Sequence, residues 1–195
     1  MIKNNINYAN LLNNIKIFFT LWFILEKMDL ISILLGGMEN PIIYSIIFFI
    51  YVVLTTLILP IPVEIGLFNP FITPIWLIFL LAIGKGVGAF LAFEIGTRVR
   101  GILKKRPIKI PITKKIVSLC ERFIRKYGYY GLFIIMSTPL MIDSVSLYLF
   151  SMLNPSDEGR RAMTRRWFVL INIGAGAVRG TIILLIAYLI GVRLV

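Results

Sequence analysis

The stretch Tyr127–Leu153, YGYYGLFIIMSTPLMIDSVSLYLFSML, decides how this chain folds. It is apolar along its length except at the middle, where Ser137-Thr138-Pro139 is followed by Asp143-Ser144. As one continuous helix it would be about 40 Å long, enough for one membrane crossing and not for two. Yet basic segments flank it on both sides. Eleven Lys and Arg lie between Arg98 and Lys126, and Arg160, Arg161, Arg165 and Arg166 follow it. Cytoplasmic loops collect such residues, so both segments are expected on one side, and a single crossing cannot join them. Proline removes a backbone donor and clashes with the preceding turn, so the helix should break at Pro139. The stretch is therefore expected to be a re-entrant hairpin, with a helix to about Met136, an unwound tip at mid-membrane and a helix back to Leu153. Irregular backbone at that depth survives only when buried in protein or lining a wet cavity. The break marks a site.

Composition agrees with a membrane setting. The 195 residues are 58% hydrophobic and 15% charged, with a mean hydropathy of +0.89 and a net charge of +12. Soluble domains carry about a quarter charged residues. Disorder, collagen-like repeats and disulfide scaffolds are excluded by the apolar content and by a lone Cys120. The chain has no His, which removes the commonest general base and metal ligand and the Ser-His-Asp arrangement with them. No metal, cofactor or enzymatic activity is expected. Both basic clusters abut apolar segments, so anionic lipid head groups are the expected partners and nucleic acid is not.

The same design occurs earlier. Pro41 to Leu59 is an unbroken apolar run ending in Pro60-Ile61-Pro62-Val63-Glu64, with Ile65 to Ile72 returning. A long crossing follows each break: Pro74 to Gly96, then Trp167 to Gly191. The expected fold is all-α: a polytopic membrane protein of two repeats, each a re-entrant hairpin plus a transmembrane helix. Residues 41–96 form the first repeat and 127–195 the second. Residues 97–126 form a basic cytoplasmic segment carrying an amphipathic surface helix from Thr113 to Lys126, and 154–166 form a second cytoplasmic loop. Hairpin one enters from outside and hairpin two from inside, so the repeats are inverted, an arrangement used by transporters. The first forty residues are expected to hold an interfacial helix, because Glu26, Lys27 and Asp29 interrupt their apolar runs and make a span through residues 11–35 expensive.

Ionisable residues inside membrane segments are functional candidates by default. Glu64 and Asp143 occupy the two tips, with Pro60, Pro62 and Pro139 as the hairpin breaks. Lys85 and Arg179 lie within the two Gly-rich crossings. The acids serve either as caps for freed backbone donors or as proton- or cation-linked groups. The cations serve either as their partners or as ligands for an anionic head group. Glu94 lies near the inner end and is expected either to snorkel or to pair with Arg98 four residues on. Gly84-Lys85-Gly86-Val87-Gly88 lacks the strand and spacing of a phosphate loop, so its glycines are read as close-packing positions.

Several of these segments together resemble the DedA/VTT superfamily of membrane proteins. They are Pro60-Ile61-Pro62-Val63-Glu64, Gly86-Val87-Gly88-Ala89 with Glu94-Ile95-Gly96, Arg122-Phe123 with Lys126-Tyr127-Gly128 and Gly131-Leu132-Phe133, Pro139, and the Gly-rich run from Asn172 to Gly191. The resemblance covers roughly Pro41 to Gly191. It implies two re-entrant hairpins in inverted repeats and translocation of polyprenyl-phosphate or phospholipid, dependent on the proton gradient. One departure stands out. Family members with arginines in the second tip would place them near Met136 and Ile142, and this chain has Asp143 instead. The expected function is thus a lipid translocase of the cell membrane, coupled to protons or sodium. The alternatives are an ion-coupled small-molecule exporter, a non-transporting assembly factor and, last, an intramembrane aspartyl protease.

Overall fold

A computed structural model of the chain describes residues 30–58, 63–105, 111–139, 143–154, 156–157, 160–161 and 163–190. Pro60 and Pro62, the side chain of Cys120, and residues 1–29 of the forty expected to hold an interfacial helix lie outside them. The described chain is all-helical: α1 (Leu30–Gly36), α2 (Pro41–Leu57), a 3-10 turn (Val63–Leu67), α3 (Pro74–Lys105), α4 (Pro111–Ser137), α5 (Asp143–Met152) and α6 (Arg165–Leu189). A two-residue antiparallel ladder, Ser156–Asp157 against Arg160–Arg161, closes the loop before α6.

Residues α3 and α6 form the axis of the molecule. Gly180 packs on Leu81 and Ile78, Gly176 on Lys85, Gly86 on Ile173, and Arg165 meets Glu94. The order is antiparallel. Both helices are long and apolar enough to cross a membrane. A Cβ on Gly86 would lie 2.5 Å from Ile173, and on Gly84 or Gly88 it would lie 2.7 Å from Val52 or Thr56 of α2. Lys85 therefore sits on a helix pressed between two neighbours, with glycine at the closest approaches on either side of it.

Against this axis, α2 runs parallel to α3. Ser45 receives a hydrogen bond from Trp76, Val52 packs at Gly84 and Thr56 at Gly88. The chain then turns back. Gly66 lies against Phe48 and accepts a hydrogen bond from Tyr44 at 2.8 Å, and Asn69 reaches the Met38 carbonyl at 3.3 Å. The second half mirrors this from the other end. Met136 and Asp143 meet Lys85, whereas Ser151 packs at Gly96 and Phe123 packs edge-on against Phe150. Two apolar clusters, each drawing on both halves, flank Lys85. Tyr44, Phe48, Leu67, Leu77 and Leu184 pack on one side of Lys85, and Phe93, Met136, Leu147, Phe150 and Phe168 on the other.

Three boundaries differ from expectation. The helix expected to end at Gly96 continues to Lys105, because nothing in Thr97–Lys105 breaks it and solvated Lys and Arg are good helix formers. The segment after Glu64 returns as a 3-10 turn and irregular chain, since Asn69-Pro70 and Thr73-Pro74 deny it a helix. The helix expected over Thr113–Lys126 and the one expected from Tyr127 to about Met136 form one element, α4, bent at Gly128, where φ is +38° and ψ is −112°. Only glycine adopts that backbone without strain.

Candidate functional site

Glu64, Lys85, Asp143 and Arg179, the four residues expected to form the site, meet in one cluster. Lys85 is 0% exposed, Arg179 2%, and Glu64 and Asp143 8% each. Arg179 lies between the two acids. Its Nε donates to Glu64 Oε1 at 2.8 Å, Nη2 donates to the same oxygen, and Nη1 donates to Asp143 Oδ1 at 2.7 Å. Lys85 Nζ stands 3.1 Å from Asp143 Oδ2 and donates to the Met136 carbonyl at 3.2 Å. Two cations and two anions thus form a chain: Glu64, Arg179, Asp143, Lys85.

Backbone electrostatics explain why the breaks recruit these types. The interruption between α4 and α5 leaves a helix C-terminus and a helix N-terminus that both reach the buried Lys85. Carbonyls at the former carry partial negative charge and attract Lys85. The N–H groups at the latter favour Asp143, the first residue of α5. Glu64 sits likewise in the first turn of the 3-10 helix. A buried charge without a partner is very costly. Each acid is supplied by a break and each cation by an axial helix, so the cluster joins both halves of the molecule.

Several contributors carry no sequence signal of this kind. Tyr44 positions the 3-10 turn through Gly66, and Met136 acts through its backbone carbonyl. Asn172 is 0% exposed and donates to Phe168 one turn away, one turn from Gly176, which touches Lys85. Pro139 lies two residues past the end of α4, and the intervening Thr138 bonds back through Oγ1 to the Ile134 carbonyl at 2.8 Å. Glu94 does not pair with Arg98. It accepts from Arg165 Nη1 at 2.7 Å, and that guanidinium also lies over the Phe90 ring, 5.2 Å from its centre. The antiparallel approach of α6 brings Arg165 closer to Glu94 than the flank of its own helix does.

Among the described residues, no group of three or more Cys, Asp or Glu is placed to hold a metal. The class defined so far is an all-helical protein with two helices of membrane-crossing length and a buried, charge-balanced cluster between them. No family model, no curated protein and no solved structure matches the chain.

Proposed function

We propose that the chain is a multi-pass membrane lipid translocase, in which the head group of a polyprenyl-phosphate or phospholipid passes the point where two re-entrant tips meet. The observation that carries this reading is the Glu64–Arg179–Asp143–Lys85 cluster. It lies where two oppositely directed breaks in helix meet, the arrangement of inverted-repeat transporters. Its depth supports the reading. Lys85 is nine residues from Trp76 and nine from Glu94 along α3, about 14 Å each way. Trp76 stacks on Phe79 at one end, and Trp167 packs with Tyr129 at the other. Two aromatic girdles at this separation match the thickness of a bilayer core. Between them Ile83, Val87, Phe90, Leu170 and Val178 are exposed, a surface that favours lipid over water.

In this frame Arg98, Arg100, Arg122, Lys126, Arg165 and Arg166 gather at the Glu94 end, which is assigned to the cytoplasm. Hairpin one then enters from outside and hairpin two from inside. Glu64 and Asp143 are the acids that exchange a proton or sodium ion, and Arg179 and Lys85 are the cations that a phosphate head group engages when an acid lets go. The DedA/VTT resemblance points the same way.

The test is reconstitution. Purified protein in liposomes should move a fluorescent phospholipid or polyprenyl phosphate between leaflets, and an imposed pH or sodium gradient should alter the rate. Glu64→Gln and Asp143→Asn should each abolish the gradient dependence. If neither lipid moves while an ion gradient drives uptake of a small organic cation, the chain is an exporter. If nothing moves and the protein co-purifies with a fixed partner, it is an assembly factor.

A further inference from the structure

The buried oxygens that lack partners have an order to them. Among the described residues, Glu64 Oε2, Ser137 Oγ, Thr56 Oγ1, Asn172 Oδ1 and Tyr148 OH are buried without a hydrogen-bond partner. Contacts along α3 rank them by depth. Glu64 belongs to the charge cluster itself, and Ser137 follows Met136, whose carbonyl holds Lys85. Thr56 packs at Gly88, nearly one turn beyond Lys85. Asn172 lies one turn beyond Gly176 in the same direction. Tyr148 is on α5 between Asp143, which meets Lys85, and Ser151, which meets Gly96.

The four outside the cluster therefore descend from its level toward the Glu94–Arg165 end, over roughly 10 Å. On the other side, toward Trp76, the corresponding polar groups are satisfied inside the protein. Tyr44 donates to Gly66 and Asn69 to Met38.

An unpartnered buried polar atom costs about 1–3 kcal/mol, and native interiors avoid this by holding water at such atoms. Hydroxyls of Ser, Thr and Tyr both donate and accept, so a series of them with water can pass a proton or a small cation. A bulky phosphate has no such room between helices packed at glycines.

We infer that a narrow water-accessible passage connects the charge cluster to the basic end of the molecule alone, lined by Thr56, Ser137, Asn172 and Tyr148. The inference rests on the membrane reading above and adds the side from which the acids exchange their ion. Lipid and coupling ion thus take different routes to one cluster.

Thiol labelling from each side of the membrane tests this in the full chain, with Cys120, its one cysteine, replaced by Ser. Thr56→Cys and the nearly isosteric Ser137→Cys should react with silver ion, a thiol reagent about as small as the cation the passage would carry, when it is added from the basic face. The rate should be at least about tenfold higher than from the opposite face, a barrier difference of about 1.4 kcal/mol. Leu77→Cys and Leu81→Cys, equally buried toward Trp76, should be inert from both faces. Equal inertness of all four variants, or labelling of Leu77→Cys at the rate of Ser137→Cys, overturns the passage. Labelling reads access and not transport, so failed lipid movement leaves this result standing, and the converse holds.

Discussion

Arg179 is the residue on which the two halves depend. Its planar fork reaches Glu64 through Nε and Nη2 and Asp143 through Nη1, a geometry that a single ammonium cannot reproduce. Removing one member of a buried ionic network leaves its partners uncompensated, at about 3–5 kcal/mol. Arg179→Ala is expected to lower unfolding stability in detergent by that order, and Arg179→Lys by less. Adding Glu64→Gln to Arg179→Ala should recover part of the loss, with a coupling of about 0.5–3 kcal/mol in a double-mutant cycle. Purely additive losses would mean the pair contributes nothing. All four charged residues were visible in the sequence because ionisable groups inside apolar runs are expensive and so conspicuous. What surrounds them was not. Met136 takes part through a carbonyl that every residue possesses, and Tyr44 through a hydroxyl whose partner is fixed only when the 3-10 turn folds back on α2.

At the scale of elements, glycine positions set how closely helices approach. Gly88→Leu would drive a side chain into Thr56, whereas Val87 on the same turn is 39% exposed and points away from both neighbours. Overpacking of this kind costs about 1–3 kcal/mol. Gly88→Leu should reduce the yield of folded protein on size-exclusion chromatography, and Val87→Leu should not. Equal yields would show that α2 moves freely away from α3. Close packing was legible in the Gly-Lys-Gly-Val-Gly spacing, since alternate glycines cannot all serve one face of a helix. The partners were not legible, because α2 and α6 become neighbours of α3 only through the antiparallel axis and the returning turn. The same fact decided Glu94. The i,i+4 rule selects Arg98, but tertiary packing delivers Arg165 with a better geometry and the Phe90 ring beneath it.

Over the whole molecule, the spacing of the aromatic ends and the central position of Lys85 define a slab. Single-tryptophan variants retaining Trp76 or Trp167 should be quenched more strongly by lipids brominated near the head group than by lipids brominated at the chain end. Deep quenching of either would displace the proposed bilayer boundary. The arrangement that places the cluster at the middle also determines how it responds to a transmembrane voltage. Assembled, its two cations and two anions sum to zero, and the potential exerts no net force on it. Charge is divided between parts, however, with both anions on the hairpin breaks and both cations on the axial helices. Once a hairpin shifts relative to the axis, it carries negative charge through the field, at about 2.3 kcal/mol per elementary charge moved fully across 100 mV. On the proposed membrane reading, voltage would act on the cluster once its parts separate and leave it untouched while assembled.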